Sequence, residues 1–259
     1  MKKIFIRIFR AMGIYDYLVN KKGKLNENRF RKQEKKNSRK RTAFYSTFLK
    51  PDDLVFDVGA NIGNRVESFL EIGCKVIAVE PQQECIKTLN AKFGSRIKII
   101  EKGLGAIEEE KTFYIADVNT ISSFSEEWIN SVKESRFNRN TWSEQRKIQL
   151  TTLDQLIKQF GTPAFCKIDV EGYELEVLKG LTTIIPRISL EYTVPEQTAN
   201  LVKCLGYCND LSVNYKYNYS ITEDMIFQLE NFLPFDEFIS HVSSEKFINT
   251  AFGDIYVTL

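Results

Sequence analysis

From residue 54 onward the chain alternates short apolar runs with stretches of helical periodicity. Leu54-Val-Phe-Asp-Val58 is mostly apolar, the pattern of a strand buried on both faces. Gly59-Ala-Asn-Ile-Gly63 then makes a turn, and Asn64 to Leu70 reads as a helix. Lys75-Val-Ile-Ala-Val79 is a second strand. Gln83 to Phe93 is a helix ended by Gly94, and Ile97-Lys-Ile-Ile100 a third strand ended by Gly103-Leu-Gly105. Lys111 to Ala116 predicts an extra strand, Asn119 to Phe124 a polar loop, and 125–147, with Trp128 and Trp142, an irregular helical insert. Lys147 to Leu153 alternates like an edge strand. Thr152 or Asp154 then caps a helix through Phe160, stopped by Gly161-Thr-Pro163. Phe165 to Val170 predicts the strand beside the first, Glu171-Gly172 a turn, and Tyr173 to Leu178 the start of a helix. Strand–helix alternation of this kind predicts an α/β, doubly wound, mostly parallel sheet.

The C-terminal part is harder to read. Asn214 to Ser220 is aromatic and polar, suited to stacking on sugar rings or to a strand with cross-strand aromatics. Ser220 to about Ile248 predicts helix, with Met225, Ile226, Leu229, Phe232 and Leu233 on one face. Gly253 to Leu259 is a last, antiparallel strand.

Charge divides the chain. Residues 1–50 hold 16 Lys and Arg against 3 Asp and Glu, a net +13, while the remainder carries −11. The expected division is therefore a basic, mostly helical extension over 1–50 and a main α/β domain over 51–259, with inserts near 119–147 and 215–250. Wound as a helix, Ile4, Phe5, Ile8, Phe9 and Met12 share one side, which could pack on the domain or meet an anionic membrane through residues 1–41. The basic run from Arg29 to Arg41 lacks the interleaved aromatics of a single-strand binder, so no nucleic-acid partner is expected. No stretch reaches the roughly 18 apolar residues of a spanning helix. Cys74, Cys85, Cys166, Cys204 and Cys208 form no C-x-x-C pair, and His241 is the only histidine, so a zinc site is not expected. Reduced cysteines fit a cytoplasmic protein, with peripheral membrane contact as the variant. No feature specifies an oligomeric state.

The candidate chemistry gathers at strand ends. The glycines of Gly59–Gly63 let backbone pass close to a ligand, with a helix N-terminus behind them. Their spacing is not the G-x-G-x-x-G of a dinucleotide site. Glu80 ends the second strand 23 residues after Asp57, the position of a carboxylate that accepts from two ribose hydroxyls. Asp57 precedes the loop, where it could meet the ammonium of S-adenosylmethionine (SAM). Gly103 and Leu104 stand where a nucleotide base would lie, and Asp169 and Glu171 face the same crevice. Asp169 and Glu191 could together hold Mg²⁺. Glu174 and Glu176 read as first-turn charge complementing the helix dipole.

Asp57-Val-Gly-Ala-Asn-Ile-Gly63, with Lys167-Ile-Asp-Val-Glu-Gly-Tyr-Glu174 and Val177-Leu-Lys-Gly180, resembles the FkbM family of SAM-dependent methyltransferases from about residue 50 to about 208. Ser122-Ser123 resembles the family's serine pair, Ile188-Ser-Leu-Glu191 its next strand and terminal acid, and Leu205-Gly-Tyr207 its step into the sixth strand. Tyr192-Thr193 stands where members often carry histidine. The resemblance implies a Rossmann-like, seven-stranded methyltransferase with an antiparallel last strand. It implies methylation of a hydroxyl oxygen on a small molecule, glycan or glycolipid. The implied cofactor site is Asp57, Gly59, Asn61, Gly63, Glu80, Gly103, Leu104 and Asp169, with Asp169 or Glu171 as catalytic base. A degenerate binding protein on this fold would lose the glycines or the ribose acid, and both are kept. An NAD-dependent oxidoreductase is disfavoured by the loop spacing and by Asp57.

Overall fold

The computed structural model describes residues 34–259. The apolar stripe Ile4 to Met12, and the basic segment up to residue 33, lie outside the described residues. The chain divides into two compact units, Met1–Lys40 and Arg41–Leu259. Of the first, the described residues 34–40 are helical. The second begins ten residues before the expected boundary because Phe44, Tyr45 and Leu49 are buried with Phe69, Phe165 and Tyr256.

Among the described residues the main sheet has seven strands in the order β3-β2-β1-β7-β8-β10-β9. Its first half is β1 (Leu54–Val58), β2 (Lys75–Val79) and β3 (Ile97–Ile100), joined by helices α1 (Asn64–Ile72) and α2 (Gln83–Phe93). Strands β7 (Phe165–Ile168) and β8 (Arg187–Thr193) continue it in parallel beyond β1. β10 (Phe252–Thr258) inserts antiparallel between β8 and β9 (Lys216–Ile221). The strand order reverses between β1 and β7, so a crevice opens at their C-terminal ends.

A smaller sheet, β4-β6-β5, stands beside that crevice. Gly103-Leu104 does not merely end β3; it forms β4, parallel to β6 (Glu144–Thr151), which pairs antiparallel with β5 (Glu110–Ile115). The first insert is therefore 116–143 rather than 119–147. It contains α3 (Glu126–Val132) and a cluster of Ala116, Ile121, Trp128, Ile129 and Val132. Thr152 caps α4 (Leu153–Phe160) by accepting from Gln155 N–H, whereas Asp154 accepts from Thr182 N–H.

The expected helix from Ser220 is corrected. Residues 222–234 run irregularly beside β9, held by Asn218 Nδ2 donating to Leu229 O and by Tyr217 pairing with Leu233. Helix resumes only as α7 (Phe235–Val242) and α8 (Glu245–Ile248), after Pro234. The second insert is thus 222–251, and Tyr215, Tyr217 and Tyr219 are buried core. Leu205-Gly-Tyr207 lies inside the helix Thr198–Leu211 (α6, following α5, Glu174–Lys179) rather than leading into a strand. All five cysteines are free and buried. No helix among the described residues is long and apolar enough to cross a membrane.

Candidate active site

The site begins where β1 stops. Gly59 and Ala60 N–H both donate to Val79 O, at 3.0 and 3.1 Å, which folds the loop across the end of β2. Gly59 has φ 81°, and a Cβ on it would lie 1.8 Å from the Asp169 carbonyl oxygen. Only glycine permits that approach. Asn61 follows at φ 49°, its Oδ1 accepting from Ile62 N–H.

Glu80 ties the loop to the next turn. Its Oε2 accepts from Asn61 N–H and its Oε1 from Gln82 N–H, each at 2.8 Å. It is 2% exposed, and burial pushes its carboxyl up to about 7 against the pull of those two donors. Above it opens a pocket of about 300 Å³. One wall is Gly59 to Ile62 with Glu80; another is Lys102, Gly103, Leu104, Asn119 and Phe124 from the small sheet and its insert.

The floor is charged. Lys167, Asp169, Glu171 and Glu191 all line it, and oxygens of the three acids lie within 4.8 Å of one another. The turn after β7 is fixed from below. Glu174 accepts from Val170 and Gly172 N–H, while Ser123 Oγ donates to Glu171 O at 2.7 Å. Glu171 is held at φ 53°, a conformation uncommon outside glycine. Burial acts to raise Asp169, but the Lys167 ammonium bonded to it outweighs burial and keeps it below the usual carboxylate range. Glu171 and Glu191 are raised well above theirs, by burial first and then by the Asp169 charge. The floor therefore pairs one firmly ionised acid with two that readily hold protons.

Residues 57–226, well over half of the chain, match the Methyltransferase FkbM domain model. The chain belongs to the FkbM methyltransferase family. Among curated proteins no sequence matches it. Solved structures with a similar fold include the plantazolicin methyltransferase BpumL in complex with a substrate analog and SAH (12% identity, 99% of this chain and 96% of that one, TM-score 0.43). A precorrin-6y C5,15-methyltransferase from Geobacter metallireducens is 10% identical over 84% of this chain and 85% of that one, TM-score 0.43. Aeropyrum pernix fibrillarin with bound S-adenosyl-L-methionine is 9% identical over 81% and 67%, TM-score 0.42. The assignment rests on the family match and not on these distant likenesses.

In this FkbM methyltransferase the pocket gathers Gly59, Asn61, Glu80, Gly103, Leu104, Asp169, Glu171 and Glu191. It does not gather Asp57 or Gly63. Asp57 is 1% exposed and one residue back from the strand end; it shares a sheet face with its register partner Lys167, whose longer side chain lines the pocket where that of Asp57 does not. Gly63 is the N-cap of α1 at φ 83°, and a Cβ there would meet Phe93 at 2.3 Å. Helix packing requires a glycine at that position. Glu174 is likewise a turn clamp more than a dipole partner, and Glu176 pairs with Lys179. Arg65, Lys167, Ser122 and Glu223 line the pocket without having been predicted to. Period-two alternation signals Lys167, which shares a strand face with Asp169. No local signal marks Glu223, 158 residues from its partner Arg65.

Proposed function

We propose that this enzyme moves a methyl group from SAM to a hydroxyl oxygen of a small-molecule, glycan or glycolipid acceptor. The observation carrying this reading is the adjacency, at one set of strand ends, of the Glu80 pocket and the acidic floor. Glu80 suits two vicinal ribose hydroxyls, because its two oxygens are held by backbone donors and keep lone pairs toward the pocket. Gly103 and Leu104 line the pocket wall that suits the base. SAM, when bound, supplies an electrophilic methyl on a sulfonium, displaced in line by the acceptor oxygen.

Positioning supplies much of the acceleration in such a transfer. The residues add proton removal. Asp169, ionised by Lys167, suits a positive charge above it. Glu171, whose raised carboxyl is the stronger base once ionised, suits the proton of the acceptor hydroxyl. The spacing of Asp169, Glu171 and Glu191 favours a second reading, in which the three hold Mg²⁺ and the metal polarises the hydroxyl. EDTA sensitivity reversed by Mg²⁺ would select that reading.

Incubation with methyl-labelled SAM and glycan or lipid extracts tests the proposal. Label recovered as a methyl ether supports it; label on carbon or nitrogen contradicts it.

A further inference from the structure

One charged group in the pocket has no role in the reading above. Arg65 stands in the first turn of α1, lines the pocket, and has a side chain 13% exposed. Its Nη1 and Nη2 donate to the two carboxylate oxygens of Glu223 at 2.8 and 2.7 Å, while its Nε is buried without a partner. Glu223 follows β9 in the second insert, also lines the pocket, and is 52% exposed. The other cations of the pocket are Lys167, bonded to Asp169, and Lys102, beside Gly103.

Resting on SAM as the cofactor, the ligand brings an ammonium and a sulfonium that suit the acidic floor, and one carboxylate that the floor repels. We propose that Arg65 receives this carboxylate, and that Glu223 occupies the same guanidinium edge until the cofactor displaces it. A planar fork accepts either carboxylate in the same bidentate geometry, so the exchange keeps Arg65 compensated, while Arg41, whose Nη1 lies 3.9 Å from Glu223 Oε2, is a second cation on the resting carboxylate. The displaced Glu223 already has half its side chain in water, which keeps its release cheap. The first turn of α1, lacking a side-chain cap, adds free N–H groups beside the same spot. Glu223 thereby sets the affinity of the site for any ligand with a carboxylate there, and for none without one.

Calorimetry with S-adenosylhomocysteine (SAH) and its decarboxylated counterpart, which differs only in that group, tests the exchange. The wild type should prefer SAH by about tenfold, the worth of the new bidentate contact less the Glu223 contact given up for it. Arg65→Gln should erase the preference while still binding the decarboxylated compound. Glu223→Gln should strengthen SAH severalfold and leave the decarboxylated compound unchanged. Equal binding of the two compounds by the wild type, or an intact preference in folded Arg65→Gln, overturns the inference and leaves the cofactor assignment standing. Binding of neither compound overturns both. Should Arg65→Gln not fold, the wild-type preference and the Glu223→Gln response decide the matter.

Discussion

On one face of the main sheet Phe56, Val58, Ile77, Val79, Cys166, Ile168, Ile188, Leu190, Ile255 and Val257 form an unbroken buried layer. On the other, Val55, Val76, Ala78, Phe165 and Tyr256 begin a second apolar layer. There Asp57, Lys167, Ser189, Glu191 and Asp254 interrupt it, alternating with the first set along the same strands. The two faces thus divide the work of one set of strands. The first contributes apolar packing and, through Val58 and Val79, apolar pocket lining, whereas the second gives up apolar burial near the strand ends to place charge beside the pocket. Polar groups in a core cost stability unless they are partnered. Among the described residues Asp57 Oδ2, Ser189 Oγ, Ser220 Oγ and the hydroxyls of Tyr45 and Tyr256 have no partner.

The charged face is broken most severely at its end. Glu171→Gln should slow methyl transfer by about 10²–10⁴-fold while SAH still binds, since a positioned base contributes that much. Single-turnover transfer beside SAH titration checks it, and transfer insensitive to the change would move the base elsewhere. Next in size is a paired substitution on neighbouring residues of β8. Leu190→Ala, on the apolar face, should cost about 2–5 kcal/mol in urea unfolding by leaving a cavity. Ser189→Ala, on the polar face, removes a buried hydroxyl that has no partner, and should shift stability by less than about 1 kcal/mol. Equal losses at the two positions would erase the distinction between the faces.

Asp57 gives a smaller effect with a defined pH dependence. Burial, against the pull of Lys167, pushes its carboxyl from 3.8 up to about 6. A folded-state value above the unfolded one means the stability carried by the protonated form is complete below about pH 3.8 and is lost as the pH rises through about 6. Asp57→Asn stays neutral throughout. It should be more stable than the wild type by about 1–3 kcal/mol at pH 8, and the difference should close toward pH 4. Urea midpoints across that range decide it; a variant less stable than the wild type at pH 8 would show Asp57 to be a needed anion.

Much of this was legible in the sequence because strands buried on both faces are apolar runs, and their punctuation marks the site. The run Leu54 to Val58, its glycine loop, the acid Glu80 and the Asp169–Glu171 turn all stand where the pattern puts them. Asp57 lies outside the pocket lining because a motif records order along the chain, not how far a side chain reaches: on the same sheet face the longer Lys167 lines the pocket. Residues 222–234 were misread because Met225, Ile226, Leu229, Phe232 and Leu233 repeat at helical spacing. Tertiary contacts decide that segment instead. Met225, Phe227 and Phe232 cover the cluster around Tyr45, Phe69 and Tyr256, while Asn218 captures the backbone at Leu229. Glu223 stands just inside that segment, so its pairing with Arg65 could not be foreseen locally.

The most direct test is SAH titration of Glu80→Ala beside the wild type, both checked as folded. Loss of two charge-assisted hydrogen bonds, about 2–4 kcal/mol, should weaken SAH about 30-fold or more. Unchanged affinity in a folded Glu80→Ala protein would contradict the account, because the pocket at these strand ends would then not be where the cofactor's ribose binds.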